Sequence, residues 1–225
     1  HSPRQTLLLN TRSLAALHPT AGSFIVNPRL QRRFNTLAIG FPSGESLNNI
    51  YATFLMGHLS NFNDEVKELS KRLVQAGLQL HKRSAATFRK TASNFHYEFN
   101  IRHMAGVFQG MLNSSPAQFQ EPLTMAQLWL HESERVYGDR LVSTADLKKY
   151  RELATEQAKK FFKEMSPTSL MAEPLIFCHF AHGVGEKTYD RVPTFDALSG
   201  LLNSALDEYN EQNAVMNLVL FEDAM

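Results

Sequence analysis

The 225 residues include a single cysteine, Cys178, so no disulfide can close within the chain and a disulfide-built secreted scaffold is excluded. No apolar run approaches the roughly 20 residues of a membrane span. Leu7–Leu9 behind Arg4 is the nearest thing to a signal peptide. It falls short of the ~7–15 apolar residues such a peptide needs, and Asn10, Thr11 and Arg12 end it. There is no GxxxxGKS/T loop, no GxGxxG turn and no apolar strand ending in paired acids. Taken alone, the chain lacks the parts that cradle a triphosphate and hold Mg²⁺. An excess of one charge is missing too, with 23 Lys+Arg against 22 Asp+Glu. Internal repeats and low-complexity tracts are absent.

What is present is ordinary globular material, 43% hydrophobic and 20% charged, and long enough to bury a real core. The even balance conceals an asymmetry. Residues 1–60 and 61–167 each carry +4, whereas residues 168–225 carry −7. Such a chain is expected to comprise more than one uniform domain. With His1 in place of Met, it is also expected to be a piece of something larger.

Local signals organise the chain. Asn27-Pro28 caps and starts a short helix over Arg29–Arg33. Phe34–Phe41 reads as a buried strand stopped by Pro42. Ser43 caps a helix to about Leu59. Asp64–His81 places Val66, Leu69, Leu73, Ala76 and Leu80 on one helical face. Asn100 caps a helix whose stripe is Ile101, Met104, Ala105, Phe108, Met111 and Leu112. Thr124 to Gln127 matches a capping box opening a helix to about Tyr137. Ser143 to Asp146 opens another, ending near Met165 before Ser166-Pro167. Leu175–Phe180 is strand-like, Gly183 and Gly185 mark a loop, and Thr194 caps a helix to about Asn210. Val215–Met225 is a last amphipathic segment.

Several residues bear on chemistry. His131-Glu132-Ser133-Glu134-Arg135 approaches the HExxH zinc signature, but Arg135 stands where the second histidine must be, and a guanidinium does not ligate zinc. A surface ion pair between Glu132 and Arg135 is the simpler use. His179 and His182 lack an obvious third ligand. Cys178, inside an apolar run, reads as a buried structural thiol. Lys82, Arg83, Arg89 and Lys90 precede Phe95, His96 and Tyr97. Alternating packing of Phe95, Tyr97 and Phe99 explains these aromatics better than nucleic-acid binding. Arg29, Arg32 and Arg33 crowd one turn. Arg102 lies in the first turn of a helix, where the helix dipole disfavours a cation. Either an anion is met there, or Arg102 is solvated or paired with a neighbour such as Glu98.

Asn27-Pro28-Arg29-Leu30-Gln31-Arg32-Arg33-Phe34, followed by Phe41-Pro42-Ser43-Gly44, resembles the AAA+ ring of dynein heavy chains. So does His96-Tyr97-Glu98-Phe99-Asn100-Ile101-Arg102 running into Val107-Phe108-Gln109-Gly110. Leu128-Trp129-Leu130-His131-Glu132, Arg135-Val136 and Asp139-Arg140-Leu141 fit the same pattern, as does Tyr209-Asn210-Glu211 with Asn213 to Phe221. Taken in order, these stretches cover about residues 19–225 and look closest to axonemal heavy chains of outer-arm type.

The resemblance implies a mainly α fold with a minor α/β part, running from the third AAA+ module into the start of the fourth. Residues 1–18 would be a divergent leader and 19–60 the C-terminal part of a large subdomain. Residues 61–166 would be a helical lid and 167–225 the start of the next module. The parent is implied to be an ATP-driven microtubule motor of the ciliary axoneme, using ATP/ADP and Mg. The segment itself would carry no autonomous catalytic residue, no metal and no cofactor. It would contact neighbouring AAA+ modules and, through the parent, other dynein subunits and microtubules, but neither nucleic acid nor membrane. Arg32 or Arg33 falls at the arginine-finger position aimed at the preceding module's phosphates. Arg102 falls at the second sensor position, reporting the γ-phosphate of its own module. The sequence departs from the family at His18, where an Asn is usual, and over residues 1–17. The rival expectations are a non-catalytic helical binding or scaffold module, and a metalloenzyme built on His131-Glu132.

Overall fold

The computed structural model describes residues 11–17, 25–183, 185 and 188–221. The chain divides into two compact units, His1–Phe41 and Pro42–Met225.

In the first unit, helix α1 (Pro28–Gln31) forms because Asn27 accepts a hydrogen bond from the Arg29 amide at 2.9 Å and Pro28 supplies a helical φ. Beyond it, the strand expected over Phe34–Phe41 does not form. The segment is irregular, with Leu37 84% and Ile39 93% exposed. A strand is completed by a neighbour's N–H and C=O groups, and none of the described residues pairs with this run.

The second unit is a helical bundle. Its helices are α2 (Gly44–His58), α3 (Asp64–Thr87), α4 (Ile101–Met111), α5 (Pro122–Ser133), α6 (Thr144–Phe161), α7 (Pro167–Leu170) and α8 (Phe195–Gln212). The long α3 is the axis, lying against α2, α4, α5 and α6. Its expected face is wholly buried: Val66, Leu69, Leu73, Ala76 and Leu80 expose nothing. Gly77 belongs to the same face, and a Cβ there would stand 3.0 Å from the Phe108 ring, so its lack of a side chain lets α4 approach α3 closely. Trp129 and Phe162 meet edge to face at 5.6 Å in the centre. Tyr137 reaches His81 at 2.9 Å, which satisfies a buried polar pair.

Caps set most boundaries. The Ser43 and Ser143 hydroxyls accept from the Ser46 and Asp146 amides, and Thr194 accepts from Ala197. Three helices differ from expectation at their ends. Helix α3 runs on to Thr87. Helix α5 begins at Pro122, since proline at the first position starts it before the Thr124 signal applies. It ends in a π-turn, Glu134–Gly138, closed by the Asp139 amide on the Glu134 carbonyl at 3.0 Å. Helix α6 stops at Phe161, where buried Phe162 turns inward. The aromatic alternation is also incomplete. Tyr97 is buried and its hydroxyl ties Val142 to Asp146, but Phe95 is 68% exposed.

After α7 the strand-like run contributes only Phe177–Cys178 (β1), antiparallel to Asp190–Arg191 (β2), with Phe177 opposite Arg191. Arg191 fastens this ribbon to the bundle. Its guanidinium donates to the carbonyls of Ala172 and Pro174 at 2.7–3.2 Å, with Gln127 Oε1 at 3.4 Å. Phe177 stacks on Phe119. Helix α8 buries only Leu198. Residues 215–221 form no regular structure, and the rest of the expected final segment, 222–225, lies outside the described residues. Among the described residues, no helix is long and apolar enough to cross a membrane.

Candidate functional site

Helix α4 has two faces. Its apolar stripe enters the core, while Arg102, Gly106, Gln109, Gly110 and Asn113 follow one another at helical spacing on the other side. This second face forms one wall of a cleft of about 490 Å³. The end of α5 and the loop beyond supply the other wall, through Arg135, Val136 and Arg140. Three arginines therefore line one concavity.

The cap of α4 shapes its mouth. Asn100 Oδ1 accepts from the Arg102 amide at 3.0 Å, and the Asn100 amide donates to His103 Nδ1 at 3.0 Å, a reciprocal capping box with histidine in the usual Glu/Gln place. With Nδ1 accepting, neutral His103 carries its proton on Nε2. That nitrogen faces Arg140 Nη1. Arg140 can only donate, so this close contact sets two N–H groups against each other. Burial pushes the His103 imidazole down, and Arg140 and Arg102 add to this, against the raising effect of Glu98. The Arg140 carbonyl is held by His96 Nε2 at 3.1 Å.

The arginines differ in their partners. Glu98, the carboxylate considered for Arg102, lies 3.4 Å from Lys90 instead. Among the described residues neither Arg102 nor Arg140 pairs with a carboxylate. Arg135 does: its Nε and Nη2 grip Glu132 Oε2 at 2.9 and 2.8 Å. This pair is not the surface bridge expected from the spacing. The Glu132 side chain is 1% exposed, and its other oxygen, Oε1, accepts from the Tyr189 hydroxyl. Gly110 makes room for it on the α4 side. A carboxylate buried this deeply needs such donors to offset its desolvation.

The remaining candidates are placed as follows. Arg32 and Arg33 are exposed on and just past the α1 turn, in the first unit, and Arg102 is in the second. His131 is half-buried, with Nδ1 on the Leu175 carbonyl at 3.1 Å, and burial drives its imidazole down toward the neutral form. His182 pairs with Asp190 at 2.8 Å and His179 lies against Tyr189. Cys178 is half-buried, and burial pushes its thiol up, away from a reactive thiolate. Among the described residues no group of three His, Cys, Asp or Glu is arranged to hold a metal ion. Sequence reasoning missed His103, Arg135 and Arg140 as neighbours of Arg102. The available signal was the small and polar stripe on α4 opposite its apolar one.

Residues 73–172, which carry this cleft, match the model of the AAA+ lid domain. The chain is 54% identical, over 96% of its length, to the dynein alpha chain of the flagellar outer arm of Chlamydomonas reinhardtii. It belongs to the dynein heavy-chain family. The ciliary dynein beta chain of Tripneustes gratilla is 47% identical over 94% of the chain, and dynein axonemal heavy chain 17 of Mus musculus 46% over 99%. The chain spans about 5% of the length of each of these heavy chains. The cleft thus lies in a dynein AAA+ lid, and the fold is mainly α with a minor α/β part.

Proposed function

We propose that this segment is a ring portion of an ATP-driven microtubule motor of the ciliary axoneme, and that its lid cleft receives nucleotide phosphate. The carrying observation is the convergence of Arg102, Arg135 and Arg140 on one cleft, where, among the described residues, Arg102 and Arg140 meet no carboxylate. Guanidinium groups suit this task because they stay charged and present forked donors that match phosphate oxygens. The donor set fits the phosphate end of ATP or ADP: Arg102 holds the terminal group at the mouth, and Arg140 brings a second guanidinium to the same cleft. The nucleotide, with Mg from the parent's phosphate loop, supplies the phosphoryl chemistry. The residues of this chain bind and orient.

In this reading, residues 19–60 close the large subdomain of the third AAA+ module, 61–166 form its lid, and 167–225 begin the fourth. Arg32 or Arg33 is the finger directed at the preceding module's phosphates. Neighbouring modules are the direct partners, and microtubules and other dynein subunits are reached through the parent. The segment does not hydrolyse ATP alone, since its sequence offers no phosphate loop.

Calorimetric titration of the 225-residue chain with inorganic pyrophosphate, beside an ATP-turnover assay, tests this. Binding should weaken with salt, as expected of an exposed ionic site, and fall about tenfold or more in Arg102→Ala. Turnover should not exceed that of ATP in buffer. Turnover abolished by Arg102→Ala would contradict the reading. Absence of pyrophosphate binding would favour a helical scaffold module instead.

A further inference from the structure

Resting on the phosphate reading of the cleft, we infer that Glu132 is a positioning residue that couples occupancy of the arginine cleft to the β1–β2 ribbon through Arg135 on one side and Tyr189 on the other. The two oxygens of one buried carboxylate are divided between these elements. Oε2 is gripped twice by Arg135, which lines the cleft and is half-exposed to it. Oε1 accepts from Tyr189, beside β2.

The carboxylate and an anion in the cleft compete for one guanidinium. When Arg135 turns to the anion, Glu132 stays buried and depends on Tyr189 alone. The Tyr189 bond then matters more, because an unpartnered buried charge is costly. Among the described residues no other group is placed to take over. His131 Nε2 lies 4.0 Å from Oε1, but its Nδ1 donates to the Leu175 carbonyl. Neutral His131 therefore carries its proton on Nδ1 and offers only a lone pair at Nε2. Gly110 lies against the carboxylate and presents no side chain.

Anion binding should therefore tighten the ribbon, and by linkage a docked Tyr189 should favour anion binding. Arg191, which ties the same ribbon to Ala172, Pro174 and Gln127, spreads that tightening across the junction between lid and ribbon.

The test is pyrophosphate affinity of the 225-residue chain and three variants. Glu132→Gln keeps the shape, removes the competing charge and frees Arg135, so affinity should rise about fivefold or more. Tyr189→Phe leaves Glu132 wholly dependent on Arg135, so affinity should fall by a similar factor. In the double variant the Tyr189→Phe effect should vanish. A purely structural role would move both single variants the same way. Hydrogen exchange of the unmodified chain needs no variant: pyrophosphate should slow exchange across residues 175–192, where the Val192 amide bonds the Ile176 carbonyl. Single variants that shift affinity in one direction, or exchange that stays unchanged under saturating pyrophosphate, overturn the coupling. If Arg102→Ala loses binding while Glu132→Gln and Tyr189→Phe match the unmodified chain, the coupling fails and the phosphate reading stands. If the unmodified chain does not bind, both fail.

Discussion

The Glu132 carboxylate occupies the space that a side chain at Gly110 would need: a Cβ built on Gly110 would lie 1.9 Å from Glu132 Oε2. Glu132 has no room to retreat, since Arg135 and Tyr189 hold its two oxygens. Gly110→Ala should therefore destabilise the bundle by about 1–3 kcal/mol, the usual range for overpacking. That is despite alanine's better helix propensity. Urea denaturation checks this, and an unchanged midpoint would show that the pair is not locked.

Acid should weaken the bundle before its carboxylates titrate. The imidazoles of His58, His81, His103 and His131 are all pushed down by burial. A lowered folded-state value means that the unfolded chain binds protons first. Stability is thus fully present above the ordinary histidine value of about 6.5 and declines as pH falls below it. Urea midpoints measured from pH 8 to pH 5 should be flat at first and then fall. A midpoint that rises toward pH 5 would contradict these environments.

The uncovered run before Pro42 predicts self-association. Leu37, Ile39 and Phe41 are exposed side by side in a sequence with strand character. Ile39→Lys should raise the concentration at which light scattering appears, without altering the melting of the Pro42–Met225 unit. Equal scattering by both proteins would rule the run out as the sticky element.

Much of the architecture was legible because it is local. Asn27, Ser43, Asn100, Ser143 and Thr194 each cap within three residues, and the α3 face follows from spacing alone. The run Phe34–Phe41 misled because strand character becomes a strand only beside a partner, which spacing does not supply. The candidate site was half legible. Arg102 stands out as a cation in a first turn, and Glu132–Arg135 as a helical pair. Burial of that pair was not visible, because it depends on Gly110 from α4 and on Tyr189, 57 residues away in sequence. Arg140 reaches the cleft through the loop after the π-turn, and no short-range pattern announces that turn.

Limited proteolysis should respect the same contrast. Cleavage is expected within residues 35–42 and 213–221, where the chain is irregular and mostly exposed, before it enters 61–166. A first cut within α3 or α5 would be incompatible with the buried helical core described above.

The central claim, that this lid cleft receives phosphate, is tested most directly at His103. Arg140 and Arg102 now help to hold its imidazole down. A bound anion would neutralise their field and accept from Nε2–H, favouring the charged ring. Following the His103 ring proton by NMR across pH, with and without pyrophosphate, should show its titration moving upward on binding, and Arg102→Ala should reduce that movement. A His103 titration unmoved by saturating pyrophosphate would place the anion elsewhere and contradict the account.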